Sequence, residues 1–355
     1  MESCERTREL LIKHYQTYPL LHIQDILKFL HQSAFGCEHM VSSVQTAIDK
    51  IAEESVRAEQ GEKRLAEPLD GAYSRLHLSH LASGLSVKTF GKLFYSSAKT
   101  EQNGKAELEC KLAVADALVQ EGILPFDVSE FQQETKSWCE KGYPPLHHSE
   151  AFHNAYCPSY RVIANRYVPF LPLLARLDTM LALGPVVLAI DGGSASGKTT
   201  LSEMLRELYD AAVFHMDDFF LREEQRTPER YAQVGGNIDH ERFLEEVLIP
   251  LSKREPVRYR RFDCSTLRLQ SAVEIVPVRL TVVEGAYSMH PSLAEYYDFS
   301  VFLDIDDELQ KIRIQKRNTP QLAQRFFDEW IPLERVYFSQ MQVKQRCDMA
   351  VVISE

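Results

Sequence analysis

The chain has 355 residues, 45% hydrophobic and 26% charged, with a formal net charge of −11. That length and apolar content suit two cored domains better than one. The acidic balance argues against nucleic acid or an anionic membrane surface as a general partner. The longest apolar run, Met180–Ile190, is too short to span a bilayer and is broken by Gly184 and Pro185.

The opening MESCERTREL is charged and carries no apolar segment of the secretory kind. Seven cysteines are scattered (Cys4, Cys37, Cys110, Cys139, Cys157, Cys264 and Cys347), and none forms a C-x-x-C pair. An odd set of dispersed thiols fits a reducing cytoplasm better than a disulfide framework or a zinc site.

Residues 1–183 show helical periodicity and few strand signals. Ile23, Ile26, Leu27 and Leu30 fall at helical spacing within Leu21–Phe35. VSSVQTAIDKIAEESVRAE is amphipathic, with Ser42 or Ser43 as its N-cap. KAELECKLAVADALVQEG and SEFQQETKSWCEKG end on Gly122 and Gly142, placed to close helices. YRVIANRYVPFLPLLARLDTMLAL reads as one helix or two, interrupted near Pro169 and Pro172. The expectation is a mostly α-helical N-terminal domain.

Polar clusters punctuate this half. FGCEHM holds Glu38 and His39, and His77 and His80 stand three apart. The segment Pro144–Val162 brings His147, His148, His153, Tyr156, Tyr160 and Arg161. Solvated or core histidines are the ordinary explanation. A metal site held by His with Glu, a second ligand pocket built from FGCEHM and HHSEAF, or a contact to the C-terminal half are the alternatives. No spacing matches a zinc motif.

From Pro185 the pattern changes. VVLAID (186–191), AAVFHMD (211–217), RLTVVEG (279–285), FSVFLDI (299–305) and MAVVIS (349–354) alternate with helical stretches. Short β-branched runs in that alternation predict a five-stranded parallel sheet flanked by helices over 184–355.

Between the first strand and the next helix lies DGGSASGKTT. Gly192, Gly193, Ser194, Ala195, Ser196, Gly197, Lys198 and Thr199 match G-x-x-x-x-G-K-[ST], with Thr200 following. Glycines let the backbone curl around phosphate, and the helix N-terminus directs N–H groups at it. Lys198 would neutralise the β/γ-phosphates, and the Thr199 hydroxyl would meet Mg²⁺. A glycine-rich turn beside a lysine is the bland alternative.

Three further groups fall where an open parallel sheet binds ligands, beyond its strand ends. Asp217 and Asp218 would face the γ-phosphate, as a base for an attacking hydroxyl, a Mg²⁺ ligand or a helix cap; Asp217 is preferred. Glu284 ends a buried strand and would sit near Mg²⁺ directly or through water, or be a solvated carboxylate. Arg313, Lys316 and Arg317 share a helix face that would close over ATP, or simply be solvated. Trp330 and Tyr337, in Phe326–Phe338, read as core packing.

Residues 185–355 resemble the uridine kinase-like branch of P-loop kinases, which includes phosphoribulokinase, pantothenate kinase and nicotinamide riboside kinase. GGSASGKTT is close to that branch's loop, MDDFF to its aspartate–aromatic segment, and GGNIDHERF (Gly235–Phe243) to its N-x-D-H-P segment. VRYRRFDC (Val257–Cys264) is similar to its next acceptor-side segment. The resemblance implies that Asp217 is the base, Thr199, Asp217 and Glu284 serve Mg²⁺, and Arg313 with Arg317 belong to the lid. It places Asp239 and His240 around the acceptor; Asp218, Tyr259 and Arg260 are further candidates for the same pocket. Glu241 departs from the pattern by replacing the proline after His240, and Arg260 and Arg261 are extra cations. Those cations mean either an anionic acceptor or surface charge on a hairpin.

The function expected is ATP- and Mg²⁺-dependent transfer of a phosphoryl group to a hydroxyl of a small metabolite, nucleoside- or sugar-like. A P-loop ATPase and a non-catalytic nucleotide sensor acting through the helical half are the competing readings.

Overall fold

The computed structural model describes residues 2–37, 41–55, 66–98 and 104–354. Glu38 and His39 of FGCEHM lie outside them. The chain forms two compact units, Met1–Asp178 and Thr179–Glu355.

The N-terminal unit is mostly helical: α1 (Glu2–Thr17), α2 (Ile23–Phe35), α3 (Val44–Ser55), α4 (Val87–Ala98), α5 (Lys105–Gln120), α6 (Val128–Glu140), α7 (Glu150–Tyr156) and α8 (Leu171–Leu183), within which the division between units falls. Local chemistry sets several ends. The Ser43 hydroxyl accepts from Thr46 N at 3.1 Å and caps α3. Gly122 and Gly142 follow α5 and α6 at φ +71° and +77°, where a side chain would be strained. Ile26, Leu27, Phe29 and Leu30 of α2 are buried in a core shared with Leu108, Leu112, Ala115 and Leu118 of α5.

This unit also contains an antiparallel sheet, ordered β1 (Ala66–Pro68), β2 (Tyr73–His77), β3 (Tyr160–Ala164). Tyr160–Ala164 therefore departs from its expected helical state. Its β-branched and aromatic residues pair with β2; a 3-10 helix over Asn165–Phe170 contains Pro169, and α-helix begins at Leu171.

The C-terminal unit has the expected five-stranded sheet of β4 (Val186–Gly192), β5 (Ala212–His215), β8 (Leu280–Glu284), β9 (Phe299–Ile305) and β10 (Met349–Ile353). The order β10-β9-β4-β8-β5 is parallel throughout. β4 is central and buried on both faces, hence its run of Val, Leu, Ala and Ile. α9 (Lys198–Tyr209) follows β4 and buries Leu201, Leu205 and Leu208 along one face. A hairpin of β6 (Val257–Asp263) and β7 (Arg268–Ile275) stands apart from the sheet, with a register shift between Arg260 and Phe262. Among the described residues no helix is long and apolar enough to cross a membrane.

Candidate active site

The loop from Gly192 to Gly197 leaves β4 at the C-terminal edge of the sheet and enters α9. Three residues take positive φ, Gly192 at +148°, Ala195 at +63° and Gly197 at +97°. For alanine that conformation costs about 1–2 kcal/mol, and side chains from distant segments hold it. Gln310 Nε2 donates to Ser194 O at 2.8 Å, and Arg313 Nη1 to Ala195 O at 3.4 Å. The Glu334 carboxylate accepts from Ser194 N at 2.9 Å and from Ser194 Oγ at 2.6 Å.

Lys198 lies back over this loop, its Nζ donating to Gly192 O at 2.8 Å and Gly193 O at 3.0 Å. The N–H groups that open α9 have no intrahelical acceptor, by helix geometry. Ser196 Oγ is buried and has no hydrogen-bond partner among the described residues. An ammonium, a helix start and a spare hydroxyl on one curl of backbone form an anion cradle. Beneath it, Asp191 is fully buried and accepts from Gly192 N, Met289 N and Tyr337 OH. Burial pushes its carboxyl up to about 6 against those hydrogen bonds.

Glu284 reaches the same corner because β8 lies beside β4. Thr199 Oγ1 donates to Glu284 Oε1 at 3.1 Å. His215, at the end of β5, places Nδ1 2.5 Å from the same oxygen. That hydrogen bond raises the His215 pKa against a lowering by burial. Gly285 makes the approach close: its φ is +144°, and a Cβ there would stand 2.6 Å from Met216 Cβ. Thr199 and Glu284 offer hard oxygen ligands suited to Mg²⁺.

Asp217 follows β5. Asp217 is exposed although protein surrounds it closely. That crowding raises its pKa; Lys198 and His215 pull it down, and Glu284 and Glu334 push it up. Asp217 therefore feels the loop lysine and the Glu284 corner together.

Asp218 turns toward the hairpin. Tyr259 OH donates to its Oδ2 at 3.3 Å, and Arg261 Nε lies 3.4 Å away. Arg260 is exposed. Strand alternation puts Arg261, two residues on from Tyr259, on the Asp218 side of β6 and leaves Arg260 on the opposite face. Asp239 is buried, accepts from Arg242 N at 3.2 Å as a helix cap, and is flanked by Arg242 at 3.5 Å and Arg222 at 3.8 Å. His240 stacks on His290 with centroids 4.1 Å apart. Glu241, at the family's proline position, is gripped by Arg230 through bonds of 2.6 and 2.7 Å. Thr200 is exposed on α9, and Arg317 lies over the Phe326 ring at 5.5 Å.

Sequence reasoning passed over His215, Gln310, Glu334 and the hydroxyl of Tyr337. Only His215 left a local trace, directly before Met-Asp-Asp. Phe326–Phe338, read as packing alone, returns to the loop through Glu334 and to Asp191 through Tyr337.

A parallel sheet with this loop at its centre and acids on two neighbouring strand ends is the arrangement of a P-loop fold. Residues 187–321 match the model of the Phosphoribulokinase / Uridine kinase family. A uridine kinase of Leuconostoc citreum is 26% identical over 149 residues, 39% of this chain and 70% of that protein. A uridine kinase of Bacillus thuringiensis is 23% identical over 184 residues, 48% of this chain and 86% of its own length. Uridine kinase-like protein 4 of Arabidopsis thaliana is 29% identical over 145 residues, 38% and 30% of the two chains. Among solved structures, a possible uridine kinase from Bacillus stearothermophilus aligns with TM-score 0.39 at 22% identity, over 50% of this chain and 98% of that one. The family match leaves the N-terminal unit outside it.

Proposed function

We propose that the C-terminal unit transfers the γ-phosphoryl group of ATP to a hydroxyl of a small nucleoside- or sugar-like metabolite. The observation that carries this reading is the meeting of Lys198, Glu284 and Asp217 at one end of the sheet, with Asp217 open to solvent. A sensor needs the cradle alone; an acceptor hydroxyl needs an accessible carboxylate beside it as well.

In this reading the loop N–H groups and Lys198 hold the phosphates of ATP. Mg²⁺, bound between those phosphates and the Thr199–Glu284 corner, would offset negative charge. Asp217 accepts the acceptor's hydroxyl proton, and its raised pKa makes it a better base than an ordinary aspartate. Arg313, 3.4 Å from Ala195 O, would stabilise charge at the cradle. The acceptor lies against Asp218, Tyr259 and Arg261, with Asp239 and His240 behind.

The test is ATP consumption with and without a panel of nucleosides, sugars and vitamin precursors. Acceptor-stimulated turnover supports the reading, with Asp217→Asn slowing it about 10²–10⁴-fold. Hydrolysis indifferent to every acceptor makes the unit an ATPase; nucleotide binding without turnover makes it a sensor. A full acceptor-dependent rate in Asp217→Asn removes the assigned base.

A further inference from the structure

The N-terminal unit contains a charged network that phosphoryl transfer does not use. In its sheet, Glu67 pairs across to Arg75 and Arg75 to Val162, while His77 pairs with Tyr160. Directly opposed residues share a face, and so do residues two apart. Glu67, Arg75, His77 and Tyr160 therefore share one face of β1–β3. Arg75 and Glu67 meet side chains of α1 and α2 there.

Arg75 is the largest fully buried side chain among the described residues. Its guanidinium carbon lies 5.3 Å from the Phe29 ring centroid and 4.7 Å from that of Tyr160. Its Nε donates to Gln32 Oε1 at 2.9 Å. Nη1 stands 3.6 Å from Glu67 Oε1, outside hydrogen-bond range, and neither Nη1 nor Nη2 has a hydrogen-bond partner among the described residues. An arginine buried only to pair with a carboxylate usually meets it fork to fork. Here Glu67 is taken by other donors: it accepts from His14 Nδ1 at 3.0 Å and from Tyr18 OH at 3.2 Å.

His14 Nε2 and His77 Nε2 are also buried without a hydrogen-bond partner among the described residues. One charged fork and two imidazole nitrogens are thus left over in one network, where unmet polar groups are costly. His77 and Glu67, each 15% exposed, mark where the network nears solvent. Behind Arg75 the geometry is fixed. His148 binds Asp25 through Nδ1 at 2.8 Å and Tyr160 OH through Nε2 at 2.6 Å, which holds the Tyr160 ring against the guanidinium. A preorganised fork loses little freedom when it binds.

We propose that Arg75 is the anion-recognition element of a second small-molecule site, one that takes a carboxylate or phosphate group. His14 and His77 hydrogen-bond polar atoms next to that group. The planar guanidinium matches either oxyanion through two parallel N–H bonds.

The experiment is calorimetric titration of the full chain with inorganic phosphate and, separately, malonate, at constant ionic strength set with chloride. Lys198→Met is the parent protein, because the P-loop would otherwise bind phosphate. Saturable binding of either probe, weakened about tenfold or more by Arg75→Gln, supports the site; tenfold is the scale of one lost charge-assisted hydrogen bond. Where Arg75→Gln does not fold, His77→Ala takes its place, and weakened binding is again expected. The proposal is overturned if the parent binds neither probe. It is also overturned if binding is equal in the folded variant used.

Discussion

Glu334 and Ser194 stand 140 positions apart, yet the carboxylate of one accepts from both the N–H and the hydroxyl of the other, at 2.9 and 2.6 Å. The late helix is thereby attached to the phosphate loop. Each bond involves a charged acceptor, the stronger class. Replacing Glu334 by Gln keeps the shape and removes the charge. We expect nucleotide affinity to fall about tenfold, close to 1.4 kcal/mol, measured by titration with a fluorescent ATP analogue. Unchanged affinity would show that the loop keeps its form without this anchor.

His215 gives a pH test of the opposite corner. Its hydrogen bond to Glu284 raises its folded-state pKa above the ordinary value of about 6.5. The folded protein then holds its proton more tightly than the unfolded chain. The resulting stability is complete below about 6.5 and is lost as pH rises through the folded midpoint. An imidazole NMR titration is expected to place His215 above 6.5. His215→Gln should remove that part of the pH dependence of unfolding; a midpoint at or below 6.5 contradicts the pairing.

The N-terminal unit should respond to acid with the other sign. Burial holds His148 at about 4, although its bond to Asp25 pulls upward. Between about 6.5 and 4 the unfolded chain binds the proton and the folded one does not, so stability falls with pH across that window, by about 3 kcal/mol. The chain has two tryptophans, and Trp138 lies in this unit's core. Urea unfolding at pH 7 and pH 5, followed by Trp138 fluorescence in a Trp330→Phe background, is the measurement. A flat response, or one unaltered by His148→Gln, rejects it.

Tyr337 donates to the buried Asp191 at 2.8 Å. Tyr337→Phe leaves that carboxylate one donor short while Met289 N and Gly192 N remain. The expected loss is about 1–3 kcal/mol, seen in chemical denaturation, with little change in packing. A loss below about 0.5 kcal/mol would mean that another donor reaches Asp191.

Legibility followed range. The cradle was readable because Gly192–Thr199 is contiguous and its glycines, lysine and threonine act where they stand in the chain. The five strands were readable because strands buried on both faces must be apolar throughout. Tyr160–Ala164 was misread because the same residues suit a buried helix or a strand, and pairing with β2 decided between them. Arg260 and Arg261 are adjacent; that Arg261 meets Asp218 depends on how β6 packs beside Asp218, which residue spacing does not give.

By itself the sequence determined a parallel P-loop unit behind a mostly helical half, because periodicity and a contiguous phosphate motif are local properties. Only the tertiary structure decided that Glu334, Gln310 and Tyr337 support the loop, that His215 shares Glu284 with Thr199, and that Arg75 is buried with its fork unpaired among the described residues. Those relationships join residues far apart in the chain, and hydrogen bonds act over about 3 Å. Chain folding, not residue spacing, brings such groups within reach.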